Sequence, residues 1–514
     1  MGRAFESRPA HHVNRFSMAT PASSAREIFR TTKSGKIFEA AALAFIVTLG
    51  SGLRFWHLGA RSLWVDEGAT AVIARLDWWN FLRLLWRREA NMSFYYLLMR
   101  GWIHLGHGEA WLRALSAVFG VLAIPAIYFL GRALWGQSAG LVAALLLALN
   151  AYHIRYSQEA RSYSLAVLLV ILSAYFLVQL IQQPSRQGHW KYCAASALAV
   201  YSHFYAALVL LAQAVTVLKM VKLSDESRKK LRRAMLIILL ALIPIAVFLV
   251  ATGAGPIAWL PRPGWNDMDE FAIYLSGAGG DALLGLYLLA LLLAAIAWRE
   301  SRHEPTSWRY PLTFTWLVLP MVIVFGLSLI KPVFMNRFLI VVLPALCLLA
   351  AAGITQIRSK FVGAALAAGL VIGAVYGVGE FQRHGLDQPD EEWRAATKYL
   401  LSEAKPQDGA LFYSSQCRMP YEFYRQEEKQ VGPQVVFPAH RSQVTFRDFM
   451  GRPEAASLAG MGTRYPRVWL VMCHNRLPTG YDAATQNIRA SLSANYKLSG
   501  EQNFSGIEIE LYQR

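Results

Sequence analysis

Charge is scarce in this 514-residue chain: Asp, Glu, Lys and Arg make up only 16% of it, against 55% hydrophobic residues. That balance excludes an ordinary soluble domain and a disordered one. Cysteine is scarcer still, at four residues, too few for a scaffold built on disulfides. Cys193 and Cys347 fall in apolar runs and read as small buried residues. Cys417 and Cys473 lie in the polar C-terminal part, where pairing depends on an oxidising compartment. The sequence has no HExxH, no paired CxxC and no GxxxxGK[ST], so no motif marks a zinc centre or a nucleotide-binding loop. The cofactor therefore stays open, a divalent metal having no ligand motif to hold it. Without a nucleotide site, the energy for any group transfer has to come from an activated substrate, and apolar surroundings suit a lipid-borne one.

Apolar runs are abundant. Runs near the ~20 residues needed to cross a bilayer recur from residue 37 to 378. They are too long and continuous for barrel strands, which alternate over about ten residues. The fold class expected is a polytopic α-helical membrane protein with about eleven spans. Net charge is +18, with the basic residues distributed among short inter-helix loops. That distribution orients a membrane protein and gives no nucleic-acid surface.

Loop charge also fixes the parity. FYYLLMRGWIHLG (94–106) is apolar but short and carries Arg100 and His104, which suits an interfacial helix better than a span. If it does not cross, the basic stretch 219–233, with Lys219, Lys222, Arg228, Lys229, Lys230, Arg232 and Arg233, shares the cytoplasmic side with the N-terminal tail. If it does cross, seven positive charges move outside, against the positive-inside tendency. The expected organisation is a cytoplasmic tail 1–36, a membrane domain 37–378 with a large first outer loop 54–110, and an outer domain 379–514. The last part reads as a small α/β domain: an amphipathic helix at 391–404, strands at 409–415 and 467–473, a helix near 481–494 and a terminal hairpin.

On this topology Asp66, Glu67, Glu159, Asp267 and Asp269 share one side with Arg161, Lys331 and Arg337. Asp66 and Glu67, in SLWVDEGATAVIAR, are either the acidic start of a helix or a catalytic pair. Glu159 and Arg161, in YSQEARSYS, stand where an apolar run meets the interface. They read as an internal ion pair, or as an arginine kept for a phosphate or carboxylate with Tyr163 beside it. Lys331 and Arg337 are either snorkelling anchors or further anion-binding groups. His203, in YSHFY, lies at a short hinge and reads as structural or substrate-facing.

In their order and spacing, SLWVDEGAT, SFYYLLMRGW, WLRALSAVFGVLAIPAIYFLGRAL, YSQEARSYSL and NRFLIVVLPALCLLAA resemble the bacterial GT-C glycosyltransferases. More narrowly, they resemble the branch related to protein O-mannosyltransferases and aminoarabinose transferases. The resemblance covers about residues 37–355 and implies a GT-C-like membrane domain integral to the bacterial cytoplasmic membrane. It implies transfer of a hexosyl or pentosyl group from a polyprenyl-phosphate sugar to a lipid, glycan or protein acceptor on the outer side. Asp66 matches the family's catalytic acid and Glu159 its second acidic position. Where many relatives carry a His-Pro-Pro triplet before the tyrosine pair, this chain has Asn91, Met92 and Ser93.

Elementary chemistry gives these residues tasks. The acceptor hydroxyl loses its proton as it attacks the anomeric carbon, which a carboxylate assists. The departing lipid phosphate is already an anion and needs positive charge, which Arg161, Arg337 and Lys331 supply. In-line displacement inverts the anomeric centre, with Asp66 as base and Glu67 or Glu159 orienting the acceptor. A lipid transporter or flippase and a non-catalytic membrane scaffold are the alternatives. A transporter predicts inverted repeats and broken helices, and the sequence shows no such internal symmetry.

Overall fold

The computed structural model describes residues 33–183, 186–221, 223–253, 260–357, 359–385, 391–437, 453, 458, 461–477 and 480–514. The expected tail 1–36 lies almost entirely outside them, as do Lys222 and Arg358 of the basic loops. Helices dominate. The first, α1 (Lys33–Phe55), is long and apolar enough to cross a bilayer and lies at the periphery. Three short helices follow in the expected loop: α2 (Val65–Arg75), α3 (Trp78–Arg87) and α4 (Ser93–Trp102). At ten residues α4 is too short to cross a bilayer.

Next come α5 (Glu109–Trp135) and α6 (Gln137–Leu149), joined at Gly136, whose φ of +94° lets the chain reverse at once. The helix α6 then bends by 62° into the short α7 (Ala151–Ser157). A break of this kind strands carbonyls that lipid cannot satisfy. The buried guanidinium of Arg54, at the end of α1, donates to Leu147 and Ala148 oxygens at 3.0 Å each and pairs with His153 Nδ1 at 2.7 Å. Asn150 accepts from His153 N and donates to Leu275 O. The bend ends at SQEAR and so delivers Glu159 and Arg161 to one end of the bundle.

Beyond it run α8 (Tyr163–Gln182), α9 (Arg186–Ser202) and α10 (Ala206–Met220), the last two hinged at 203–205. Then come α11 (Asp225–Ala241) and α12 (Ile243–Thr252), bent by 42°, and α13 (Trp265–Ser276). Two apolar helices, α14 (Gly280–Ser301) and α15 (Arg309–Ile330), lead to a 3₁₀ turn, Asn336–Val342. From it α16 (Leu343–Gln356) runs buried through the centre, and α17 (Lys360–His384) closes the bundle. Among the described residues seven helices satisfy the length and apolarity of a span, or up to nine if each bent pair counts once. The count of about eleven exceeds this, because α9 and α10 are a hinged pair below that threshold.

The C-terminal domain is built on a five-stranded sheet whose strands lie side by side in the order 434–437, 409–412, 467–473, 507–513 and 497–504. Helix α18 (Trp393–Glu403) precedes β1 (Gly409–Phe412), helix α19 (Ser415–Glu428) and β2 (Gln434–Phe437). The single-turn helix α20 (Met461–Arg464) and β3 (Arg467–Cys473) lead through a two-residue ladder, β4 (Arg476–Leu477) with β5 (Gly480–Tyr481), to α21 (Ala483–Ser493). The closing hairpin is β6 (Lys497–Phe504) with β7 (Ile507–Gln513). Strand β1 runs parallel to β2 and β3, whereas β7 is antiparallel to β3 and β6. RVWLVMC is the central, almost wholly buried strand, as a continuous apolar run demands. Cys417 and Cys473 form a disulfide that ties α19 to the end of β3. Cys193 and Cys347 are free and buried.

Candidate active site

Helix α2 opens the site. Trp64 stands at its N-cap and offers no capping side chain. Asp66 is the second residue of the helix, and its Oδ2 lies 3.6 Å from Arg161 Nη2 and 3.7 Å from Arg337 Nη2. The Asp66 side chain keeps 32% of its surface, while Arg161 and Arg337 keep 12% and 8%. The carboxylate therefore faces accessible space, with both guanidinium groups behind it. Three distant segments meet here: α2, the SQEAR break and the 3₁₀ turn. Tyr152 anchors that turn by donating to Asn336 O at 2.5 Å, and Trp316 Nε1 donates to Val341 O at 2.9 Å. Arg337 also lies over the Trp64 ring, 5.2 Å from its centroid, and Arg161 Nη1 donates to the Tyr96 hydroxyl at 3.3 Å. Among the described residues, the buried Nε of each arginine has no hydrogen-bond partner.

Adjacent residues on a helix point about 100° apart, so Glu67 turns inward. Its Oε1 accepts from Arg113 Nε and Ala160 N at 2.8 Å each, and its Oε2 accepts from Arg113 Nη2 at 2.6 Å. Burial pushes this carboxyl up; the charge and hydrogen bonds of Arg113, the Ala160 amide and Arg155 outweigh it and hold the group below the ordinary value. Arg113 also donates to the carbonyls of Leu58, Arg61 and Ser62. Glu67 thus ties α2 to α5 and to the SQEAR break. Glu159 is also buried and pairs with Arg155 at 2.7 Å. Its desolvation, with Glu67 adding repulsion, outweighs Arg155 and raises its pKa; among the described residues its Oε2 has no partner.

His203 is buried at the hinge, its ring 5.7 Å from that of Tyr163 and 5.3 Å from Phe338. Burial, then Arg161 and Arg337, push its pKa down to about 3, so it is a neutral imidazole here. Tyr163 is buried between His203 and Tyr156. Lys331 is exposed at the end of α15 and, among the described residues, joins none of these ion pairs. Asp267 accepts from Gly264 N at 2.7 Å and serves as a helix cap. Among the described residues no three His, Cys, Asp or Glu side chains gather as a metal site.

Sequence reasoning passed over three contributors. Arg113 is hidden inside the apolar run WLRALSAV. Glu89, in RREANMS, is affected by Arg161 and Asp66; burial, helped by Asp66 and opposed by Arg161, raises its pKa to about 7. The third is Glu391 of the C-terminal domain, whose Oε2 accepts from Val65 N at 3.0 Å. The signal for Arg113 is a charge inside an apolar run; Glu89, next to two arginines in the first outer loop, carries no comparable mark.

The sequence profile of the family described as dolichyl-phosphate-mannose-protein mannosyltransferase matches residues 93–251. Among solved structures, ArnT from Cupriavidus metallidurans superposes with a TM-score of 0.61 at 13% identity, covering 92% of this chain and 98% of that one. ArnT from the same organism bound to undecaprenyl phosphate superposes at 0.60 and 13% identity, covering 94% and 98%. The Archaeoglobus fulgidus oligosaccharyltransferase with zinc and sulfate gives 0.53 at 12% identity, covering 84% and 68%. At these identities the likeness is one of fold. No curated protein matches the chain by sequence.

Proposed function

We propose that this chain, a membrane glycosyltransferase of the GT-C type, moves a sugar from a polyprenyl-phosphate donor to an acceptor hydroxyl on the outer side of the cytoplasmic membrane, with inversion at the anomeric carbon. The observation that carries the reading is Asp66, accessible and flanked by two largely buried arginines. Contacts of 3.6 and 3.7 Å are longer than hydrogen bonds. Arg161 and Arg337 therefore retain donors for a phosphate, their unpartnered Nε atoms among them. As the donor phosphate takes up their charge, the Asp66 carboxylate is released to accept the proton of the acceptor hydroxyl. The hydroxyl oxygen then bonds to the anomeric carbon while the carbon–oxygen bond to the lipid phosphate breaks. The electron pair leaves on the phosphate, where the two guanidinium groups hold it. A polyprenyl donor agrees with ArnT's capture of undecaprenyl phosphate on the same fold.

Glu67 and Glu159 take different roles in this reading. Glu67, saturated by Arg113 and Ala160, orients α2, and Glu159 with Arg155 sets the charge behind Arg161. Tyr163 and His203 line the sugar side as neutral, apolar-faced groups, and Lys331 is an interfacial anchor. The outer location is supported by the loop charges and by the Cys417–Cys473 disulfide, which belongs to an oxidising compartment. The test is Asp66→Asn in purified enzyme with a polyprenyl-phosphate sugar and cell-envelope acceptors. Transfer should fall about a thousandfold with folding unchanged, as expected when a general base is lost. Wild-type rates in that variant would remove Asp66 as the base.

A further inference from the structure

The catalytic helix lacks a local cap. Trp64, its N-cap residue, supplies no side-chain acceptor, yet the first amides of a helix need one. Asp66 sits one residue inside, where a carboxylate commonly folds back onto those amides. Among the described residues its oxygens instead meet only Arg161 and Arg337. The missing acceptor arrives from 326 residues away: Glu391 Oε2 takes the Val65 amide at 3.0 Å.

Glu391 is itself buried and fixed. Trp393 Nε1 donates to the same oxygen at 2.7 Å, and His474 Nε2 pairs with the other at 2.7 Å. The surrounding contacts fix the approach of the two domains. Leu63 N donates to the Tyr424 hydroxyl at 2.7 Å, and Arg394 N donates to Ser62 Oγ at 3.0 Å. A Cβ on Gly68 would lie 2.7 Å from Pro420 N, so α2 and α19 touch backbone to backbone.

We propose that Glu391 is a positioning residue for the transfer reaction: the C-terminal domain caps α2 with this carboxylate and thereby leaves the Asp66 carboxylate uncommitted and aimed at the donor and acceptor. The membrane side of α2 is fixed by Glu67 and Arg113, the domain side by Glu391, and Asp66 stands between the two. The C-terminal domain is then part of the catalytic apparatus without touching substrate. This inference rests on the reading of Asp66 as the base.

The experiment compares Glu391→Ala, Glu391→Gln and Arg394→Ala in the full-length protein, with Asp66→Asn in parallel. Glu391→Ala should lower kcat about tenfold, the equivalent of one helix cap. Its KM for a polyprenyl-phosphate sugar should stay within about twofold, because Arg161 and Arg337 are untouched. Glu391→Gln keeps an oxygen acceptor and should recover most of the rate. Arg394→Ala breaks the neighbouring interdomain contacts to Glu109 and the Gly59 carbonyl without touching a helix amide, so kcat should fall clearly less than in Glu391→Ala. Hydrogen exchange at amides 65–69 should quicken in Glu391→Ala alone.

Equal loss in the Ala, Gln and Arg394 variants, or an unchanged kcat in Glu391→Ala, overturns the proposal. If Glu391→Ala does not fold, Val65→Pro decides, since it removes the amide donor at a helix position that tolerates proline and, with Val65→Ala as the control for the buried side chain, isolates that donor. In that background Glu391→Gln should change neither kcat nor exchange, and a further loss there overturns the cap. Should Asp66→Asn remain active, the base reading fails, while the exchange measurement still judges the cap on its own.

Discussion

Arg113 offers the sharpest separation of orientation from chemistry in this site. Its guanidinium uses its N–H groups on five acceptor contacts: both oxygens of Glu67 and the carbonyls of Leu58, Arg61 and Ser62. Arg113→Met would leave the buried Glu67 carboxylate with only the Ala160 amide. Breaking a buried pair from one side costs about 3–5 kcal/mol, and the three carbonyls lose their donor as well. Glu67→Gln is milder, about 1–3 kcal/mol, because the amide still accepts from Ala160 or Arg113. The pair Glu67→Met with Arg113→Met removes both charges, so the double variant should be about 2–3 kcal/mol more stable than the sum of the singles predicts.

The sign with pH follows from the same contacts. Glu67 is held below its ordinary pKa, so its stabilisation is present above the unfolded value and is lost as pH falls through the lower folded value. Thermal unfolding of the purified variants in detergent, beside a radiolabelled transfer assay, measures both quantities. Every variant should lose activity and stability together. A Glu67→Gln protein as stable as wild type but as inactive as Asp66→Asn would refute the orienting role and return Glu67 to the chemistry.

Two further outcomes follow from the same geometry. Glu89 has a folded-state pKa of about 7, above the ordinary 4.5, so it is neutral in mild acid and an anion above neutrality. Its ionisation beside Arg161 should raise KM for the lipid donor roughly fivefold as pH climbs through 7; Glu89→Gln should abolish that limb, and a limb that persists would assign it to another group. Gly68→Ala places a methyl within 3 Å of Pro420 backbone atoms, forcing α2 from α19 at a cost of about 1–3 kcal/mol despite alanine's better helix propensity. A melting temperature equal to wild type would show that the two helices have room to separate.

Much of this arrangement is readable from residue order, for a physical reason. Charge beside lipid is expensive, so Asp66, Glu159, Arg161 and Arg337 stand out against apolar neighbours, and loop charge alone groups them at one end. The small domain is legible too, because RVWLVMC is a continuous buried run and IEIELYQ alternates. Glu67 and Asp66 are indistinguishable as letters; only the turn of the helix sends one to Arg113 and the other to open space. Lys331 has the same composition-level signature as Arg337, yet the turn at 336 buries one and exposes the other. Glu391 is illegible in principle, since a cap borrowed from another domain leaves no mark near the helix it serves. The bend after Leu149 escapes for a similar reason: its carbonyls are satisfied by Arg54, far upstream.

That same arginine imposes an order on biogenesis. Arg54 belongs to the first span, but its acceptors at Leu147 and Ala148 lie 93 and 94 residues later and His153 lies 99 later. At ribosomal rates of about 5–20 residues per second, the arginine waits several seconds after its synthesis for those partners. During that wait its charge has to rest at the interface, held by headgroups and water. The first and third membrane segments therefore settle as one late unit, once the α6–α7 bend supplies the arginine's acceptors.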